Sequence, residues 1–209
     1  MELLETMRAL SGRVDLIDSH LDRLSRAGAA LGFPVDADRV RADVAGALRG
    51  RAGLLLVRLT LDRAGRAAVS TIPLDQAPPI RTVAVVGWPA GLDEPSRFKT
   101  TDRAAYDAAL AQAIDAGADE AVLVDGDGLV VEATRANVWL RFGDELVTPA
   151  LGRRGLAGVM RARLLATVPG TRTADVKADD LEAADEVLLS NAVRGLFPVT
   201  AGTRSAGGA

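Results

Sequence analysis

Two apolar runs, Leu54 to Leu61 and Ala67 to Ile72, flank the tetrad Asp62-Arg63-Ala64-Gly65. Strand-length runs around a glycine-containing turn spell an antiparallel hairpin. The residues before it read differently. Leu3 to Leu10 reads as a strand. Asp18 to Leu31 reads as a helix with Leu21, Leu24 and Leu31 on one stripe. Gly28 weakens that helix, Gly32 stops it, and Pro34 follows past its end. Ala37 to Leu48 is a second helix, closed by Gly50. With a further strand at Thr82 to Val86, helices and strands are segregated, and the first unit is α+β.

Gly87, Pro89, Gly91 and Pro95 then mark a connection. Beyond it, Arg103 to Ala116 reads as a helix with Asp102 as its N-cap and Gly117 at its end. Strands are expected at Glu120 to Val124, Leu129 to Glu132, Asn137 to Phe142, Glu145 to Val147 and Glu186 to Leu189, with a helix at Gly158 to Thr167. The expected organisation is a small N-terminal α+β domain over 1–86, an interdomain loop over 87–98, a larger domain over 99–200 and a flexible tail over 201–209.

Composition narrows the function. A net charge of -3 gives no general attraction for nucleic acid or anionic membrane, and 3% aromatic residues provide no base-stacking surface. The absence of cysteine removes disulfides and thiolate chemistry, and a single histidine leaves no ligand set for a dedicated zinc site, so no metal is expected. No apolar run approaches the ~20 residues needed to span a bilayer. The first residues lack a basic segment followed by an apolar one, so a cytoplasmic location is expected.

The basic residues carry a sharper signal. Of 25 Lys plus Arg, only Lys99 and Lys177 are lysines. Arg is the default cation of this chain, and a lysine kept against that bias is a candidate for chemistry that needs a neutral amine. Lys177 lies in the acidic, solvated stretch Asp175-Val176-Lys177-Ala178-Asp179-Asp180. Lys99 lies in Arg97-Phe98-Lys99-Thr100-Thr101-Asp102-Arg103, just before a helix.

Four further segments qualify. Glu132 ends an apolar strand, either as a turn carboxylate or as a carboxylate that holds a ring nitrogen protonated. Gly158-Val159 opens a helix whose amides and dipole suit an anion. Ser190-Asn191-Ala192 follows a buried strand, where small polar residues close a phosphate site or simply begin a turn. His20 and Arg23 lie on neighbouring faces of one helix. For that histidine a packed structural imidazole is the expected state, and for Arg23 the plain alternative is a surface ion pair.

In order, Glu5-Thr6-Met7-Arg8, His20-Leu21-Asp22-Arg23-Leu24, Lys99-Thr100-Thr101, Glu132 to Asn137, Gly158 to Arg161 and Ser190 to Val199 resemble the fold type IV class of pyridoxal-phosphate enzymes. That class includes branched-chain and D-amino acid aminotransferases and 4-amino-4-deoxychorismate lyases. The resemblance runs from about Leu4 to Val199. It implies a two-domain α/β architecture with the cofactor, pyridoxal 5'-phosphate, in the cleft between a small N-terminal and a larger C-terminal domain. It implies that Lys99 bonds the cofactor covalently and that Glu132 partners the pyridine nitrogen. Arg23, the Gly158-Val159 amides and the Asn191-Ala192 turn would hold the phosphate. It also implies a small-molecule substrate and a homodimer.

Within the class, Thr100-Thr101-Asp102-Arg103, the Ala133-Thr134-Arg135-Ala136-Asn137 that follows Glu132, and Ser190-Asn191-Ala192-Val193-Arg194-Gly195 are most similar to the lyases. The expected reaction is release of pyruvate from 4-amino-4-deoxychorismate to give 4-aminobenzoate, a folate precursor. An aminotransferase using a 2-oxo acid acceptor is the alternative, and a catalytically weak binding protein of the same fold a second.

Overall fold

The computed structural model describes residues 1–90, 92, 97–152 and 154–202. The chain divides into two units, of which the first comprises Met1–Pro78, Phe98–Asp102 and Ala192–Arg194. Its elements are β1 (Leu3–Leu10), β2 (Arg13–Val14), α1 (Ile17–Leu31), α2 (Ala37–Ala47), β3 (Leu54–Leu61) and β4 (Ala67–Pro73), followed by a 3-10 turn at Leu74–Gln76. The strands form one antiparallel sheet in the order β2-β1-β3-β4.

The expected hairpin is β3–β4, and the Asp62 carboxylate shapes its turn by accepting from the Ala64 and Arg66 amides. Alternation along β3 turns Leu55, Val57, Leu59 and Leu61 into a core shared with Leu3, Met7 and Ala9 of β1, Leu21, Leu24 and Ala27 of α1, and Val40 and Val44 of α2. Gly28, which weakened the helix on propensity, has a packing reason. A Cβ there would lie 2.4 Å from Val35 Cγ2 and 2.9 Å from the Phe33 carbonyl oxygen, so the chain leaving α1 could not fold back against it.

The second unit comprises Pro79–Arg97, Arg103–Asn191 and Gly195–Ala209. It contains β5 (Thr82–Gly87), α3 (Ala104–Asp115), β6 (Glu120–Val124), β7 (Val130–Ala133), β8 (Asn137–Phe142), β9 (Glu145–Pro149), α4 (Val159–Thr167), β10 (Thr171–Ala174), α5 (Asp180–Ala183), β11 (Glu186–Asn191) and β12 (Gly195–Ala201). Eight strands form a mixed sheet in the order β10-β9-β8-β11-β12-β5-β6-β7. Trp139, Leu140, Leu123 and Leu189 are fully buried in it. Among the described residues no helix is long and apolar enough to cross a membrane.

Several expectations change. The strand at Thr82 belongs to the second unit, because β5 pairs in parallel with β6 and α3 supplies the crossover that a parallel pair requires. Conversely, Phe98–Asp102 groups with the first unit. β2 covers only Ala9 and Leu10 of β1, so the edge near Leu3 is open to pairing. Leu3 bridges Thr100 there, the Leu4 amide donates to the Lys99 carbonyl at 2.9 Å, and the Thr101 amide donates to the Glu2 carbonyl at 2.9 Å. Lys99 is thus tied to the N-terminal strand.

Asp102 does not cap α3. Arg103 occupies that position, without a side-chain cap. β10, β12 and α5 carry too little periodicity to be read. Pro198 also argues against a strand at β12, yet β12 has β11 on one side and meets β5 on the other only at Thr200 and Ala201, so the missing N–H interrupts no ladder. Ala201, assigned to the tail, ends β12. Residues 203–209 of that tail, and 91 and 93–96 of the connecting loop, lie outside the described residues.

Candidate active site

Three of the expected site residues, Arg23, Lys99 and Ala192, belong to the first unit, and Glu132, Gly158, Val159 and Asn191 to the second. In the first unit Arg23 does not make a surface ion pair. It lies on α1 beside Glu5, a carboxylate only 1% exposed on the inner face of β1. Arg23 Nε donates to Glu5 Oε1 at 2.8 Å and Nη2 to Oε2 at 2.5 Å, an edge-on bidentate pair. His20, wholly buried, puts Nδ1 2.7 Å from the same Oε2. Lys99 is half-buried. The turn at Ala192–Arg194 is anchored by Arg194, which donates to the Ala77 and Pro78 carbonyls at 3.2 and 2.6 Å.

Burial alone would push the Glu5 carboxyl up, but the charge of Arg23 and the hydrogen bonds from His20 and Arg23 outweigh it and hold the group at about 2. A depressed folded-state value stabilises the protein above the ordinary value of 4.5, and that stabilisation disappears as pH falls toward 2. Acid titration of wild type is therefore expected to lose on the order of a few kcal/mol across that window. Glu5→Gln, which has no such proton to take up, is expected to lose less. Equal slopes for the two proteins would contradict this.

Glu132 lies in the second unit. It is not a solvated turn carboxylate: it is 3% exposed on β7. The Tyr106 hydroxyl on α3 donates to Oε1 at 2.6 Å, and the Leu156 amide donates to Oε2 at 2.9 Å. Each of these two groups is a donor, and a donor favours the ionised carboxylate. Burial raises the Tyr106 phenol far above its usual range and the Glu132 charge raises it further, so Tyr106 keeps its proton; Arg103, 5.0 Å over the ring, opposes only in part.

The turn after Glu132 is pinned from below by Glu120, which is fully buried. Glu120 accepts from the Thr134 amide at 3.1 Å, from the Thr134 hydroxyl and from Arg135 Nε at 2.8 Å. This frame also fixes Asn137, whose Nδ2 donates to the Leu156 carbonyl at 2.9 Å.

Gly158 is the N-cap of α4 and makes no side-chain cap. A Cβ on it would come within 2.0 Å of Asn137 Oδ1. The glycine is therefore required first by the Asn137 side chain packed on it. The first-turn amides of α4 have no intrahelical acceptor, and Arg161 of that turn is a buried cation that donates to the Pro149 carbonyl at 2.9 Å and the Thr148 hydroxyl at 3.3 Å. Burial lowers its pKa, though a guanidinium stays charged. Among the described residues it pairs with no carboxylate, so a buried cation joins the positive end of the helix dipole. Ser190 serves the core by accepting from Trp139 Nε1 at 2.8 Å, while Asn191 Nδ2 reaches the Arg135 carbonyl at 3.4 Å.

The family model of class IV amino-transferases matches residues 2–201. The chain belongs to this family. Enzymes of the family depend on pyridoxal phosphate. A protein of Schizosaccharomyces pombe provisionally named an aminodeoxychorismate lyase is 29% identical over 194 residues, which cover 88% of this chain and 82% of that one. A solved structure from Mesorhizobium loti, provisionally named an amino-acid aminotransferase, is 32% identical and superposes with a TM-score of 0.84 over 96% of this chain and 99% of that one. The 4-amino-4-deoxychorismate lyase of Pseudomonas aeruginosa is 27% identical with a TM-score of 0.77, covering 96% and 82%.

Glu5, Tyr106, Glu120 and Arg161 were not anticipated as parts of the site. Glu5 had a legible signal: it is the one charge on the inward alternation Leu3, Glu5, Met7, Ala9. Tyr106 had only its status as the single tyrosine.

Proposed function

We propose that this class IV enzyme binds pyridoxal 5'-phosphate and releases pyruvate from 4-amino-4-deoxychorismate to give 4-aminobenzoate. The observation that carries the cofactor assignment is the buried Glu132 carboxylate, which accepts from Tyr106 and the Leu156 amide. Such a group suits a protonated ring nitrogen, and the cationic start of α4 suits a phosphate. When bound, the cofactor supplies an electron sink at the substrate's amine-bearing carbon. Glu132 would keep the ring nitrogen protonated. Arg23, the Gly158 and Val159 amides and the Asn191-Ala192 turn would hold the phosphate. Lys99 would hold the cofactor covalently and, as a free amine, would take the proton from that carbon. The ring C–O bond then breaks and the ring becomes aromatic. A proton returned to the methylene carbon of the departing enolpyruvyl group completes pyruvate.

The lyase-like residues around Lys99, Glu132 and Asn191 support this reaction, as does similarity to the yeast and Pseudomonas proteins. Similarity to the Mesorhizobium protein favours the second reading, an aminotransferase. Incubation with D- and L-amino acids and 2-oxoglutarate separates them: amino transfer is expected to be slow or absent, and robust transfer would select the second reading. The enzyme is further expected to act as a homodimer, since isologous dimers are the commonest closed assembly. Light scattering that reports only monomer at concentrations where the enzyme is active would contradict that.

A further inference from the structure

The group formed by Glu5, His20 and Arg23 exceeds what packing requires. A buried ion pair is costly to desolvate, and apolar residues of like size often replace one without loss of stability. Here a carboxylate on β1, only 1% exposed, accepts from a wholly buried imidazole and from a guanidinium, both on α1. His20 Nε2 has no hydrogen-bond partner among the described residues. An unmet lone pair costs less than an unmet N–H, so the ring carries its hydrogen on Nδ1 and donates it to Glu5. Glu5 Oε2 is thereby held from one side by His20 and from the other by Arg23.

A guanidinium is planar and its donors are fixed relative to one another. The Nε and Nη2 edge of Arg23 is engaged by Glu5, which fixes the plane of the group and the direction in which Nη1 projects. We propose that Glu5, braced by His20, is a positioning residue for the cofactor phosphate, acting through the orientation it imposes on Arg23. This rests on the reading of Arg23 as a phosphate ligand. Removing Glu5 would leave the charge of Arg23 in place and take away the two bonds on its Nε and Nη2 edge, so the loss should fall on phosphate recognition and spare recognition of the pyridine ring.

The test compares two probes on the full-length protein freed of cofactor: pyridoxal 5'-phosphate, and pyridoxal, which has the same ring and aldehyde but no phosphate. The ratio of their affinities measures phosphate recognition alone. Arg23→Ala is expected to collapse this ratio. Glu5→Gln is expected to lower it about tenfold, the size an outer-shell partner has at metal sites, with pyridoxal affinity unchanged. The double variant should match Arg23→Ala, because the proposed role of Glu5 runs through Arg23. If Glu5→Gln does not fold, Glu5→Asp carries the same test: it keeps the charge but is too short for the edge-on contact, and the ratio should fall in the folded protein. A folded Glu5 variant that keeps the wild-type ratio, or weakens both probes equally, overturns the role of Glu5 while leaving Arg23 intact. A wild-type ratio in Arg23→Ala overturns the reading of Arg23 and this proposal with it.

Discussion

Lys99→Ala is expected to remove both turnover and the borohydride-stable cofactor adduct, with activity lower by ~10³-fold or more, as when the covalent group of an enzyme is deleted. The fold should survive. Lys99 is half-buried, and its contribution to the sheet is a backbone carbonyl accepting from Leu4, which alanine keeps. Lys177 is the internal control. Its side chain is exposed, and its segment is held by backbone contacts that alanine keeps, among them its own amide donating to Asp180 at 2.8 Å. Lys177→Ala should be nearly silent, as surface substitutions generally are. Peptide mapping that places the trapped cofactor on Lys177 would refute the assignment.

Glu132→Gln is expected to bind cofactor while turning over ~10²-fold or more slowly, a typical size for losing a positioned catalytic group. The structure explains why this variant should fold. The glutamine carbonyl can accept from the Leu156 amide as Oε2 does, and its amide group can donate to Tyr106, whose hydroxyl acts as donor or acceptor. What is lost is the negative charge. Near-normal turnover in a folded Glu132→Gln protein would remove Glu132 from the chemistry.

The hairpin, α1 with its Gly32 stop, and β8 were legible because each is a local pattern: alternation, a 3.6-residue stripe, a glycine in the left-handed region after a helix. The assignment of segments to units was not. β5 and the Lys99 stretch each follow partners distant in the chain, β6 across a helical crossover in one case and the open edge of β1 in the other, and pairing of that kind leaves no local mark. The same distinction holds for the site. Lys99 was conspicuous by rarity and Glu132 by its place at a strand end. Tyr106, Glu120 and Arg161 act through contacts 26, 14 and 12 residues away, to Glu132, Thr134 and Pro149, which appear only when the chain is folded. Gly158 was singled out for the amides of its helix, but the volume that forbids a Cβ there is occupied by Asn137.

The reaction itself is tested most directly by giving the purified, cofactor-loaded protein 4-amino-4-deoxychorismate and measuring both products. 4-Aminobenzoate and pyruvate are expected in equal amounts, formed by wild type and absent with Lys99→Ala. Cofactor bound to Lys99 with neither product formed would contradict it.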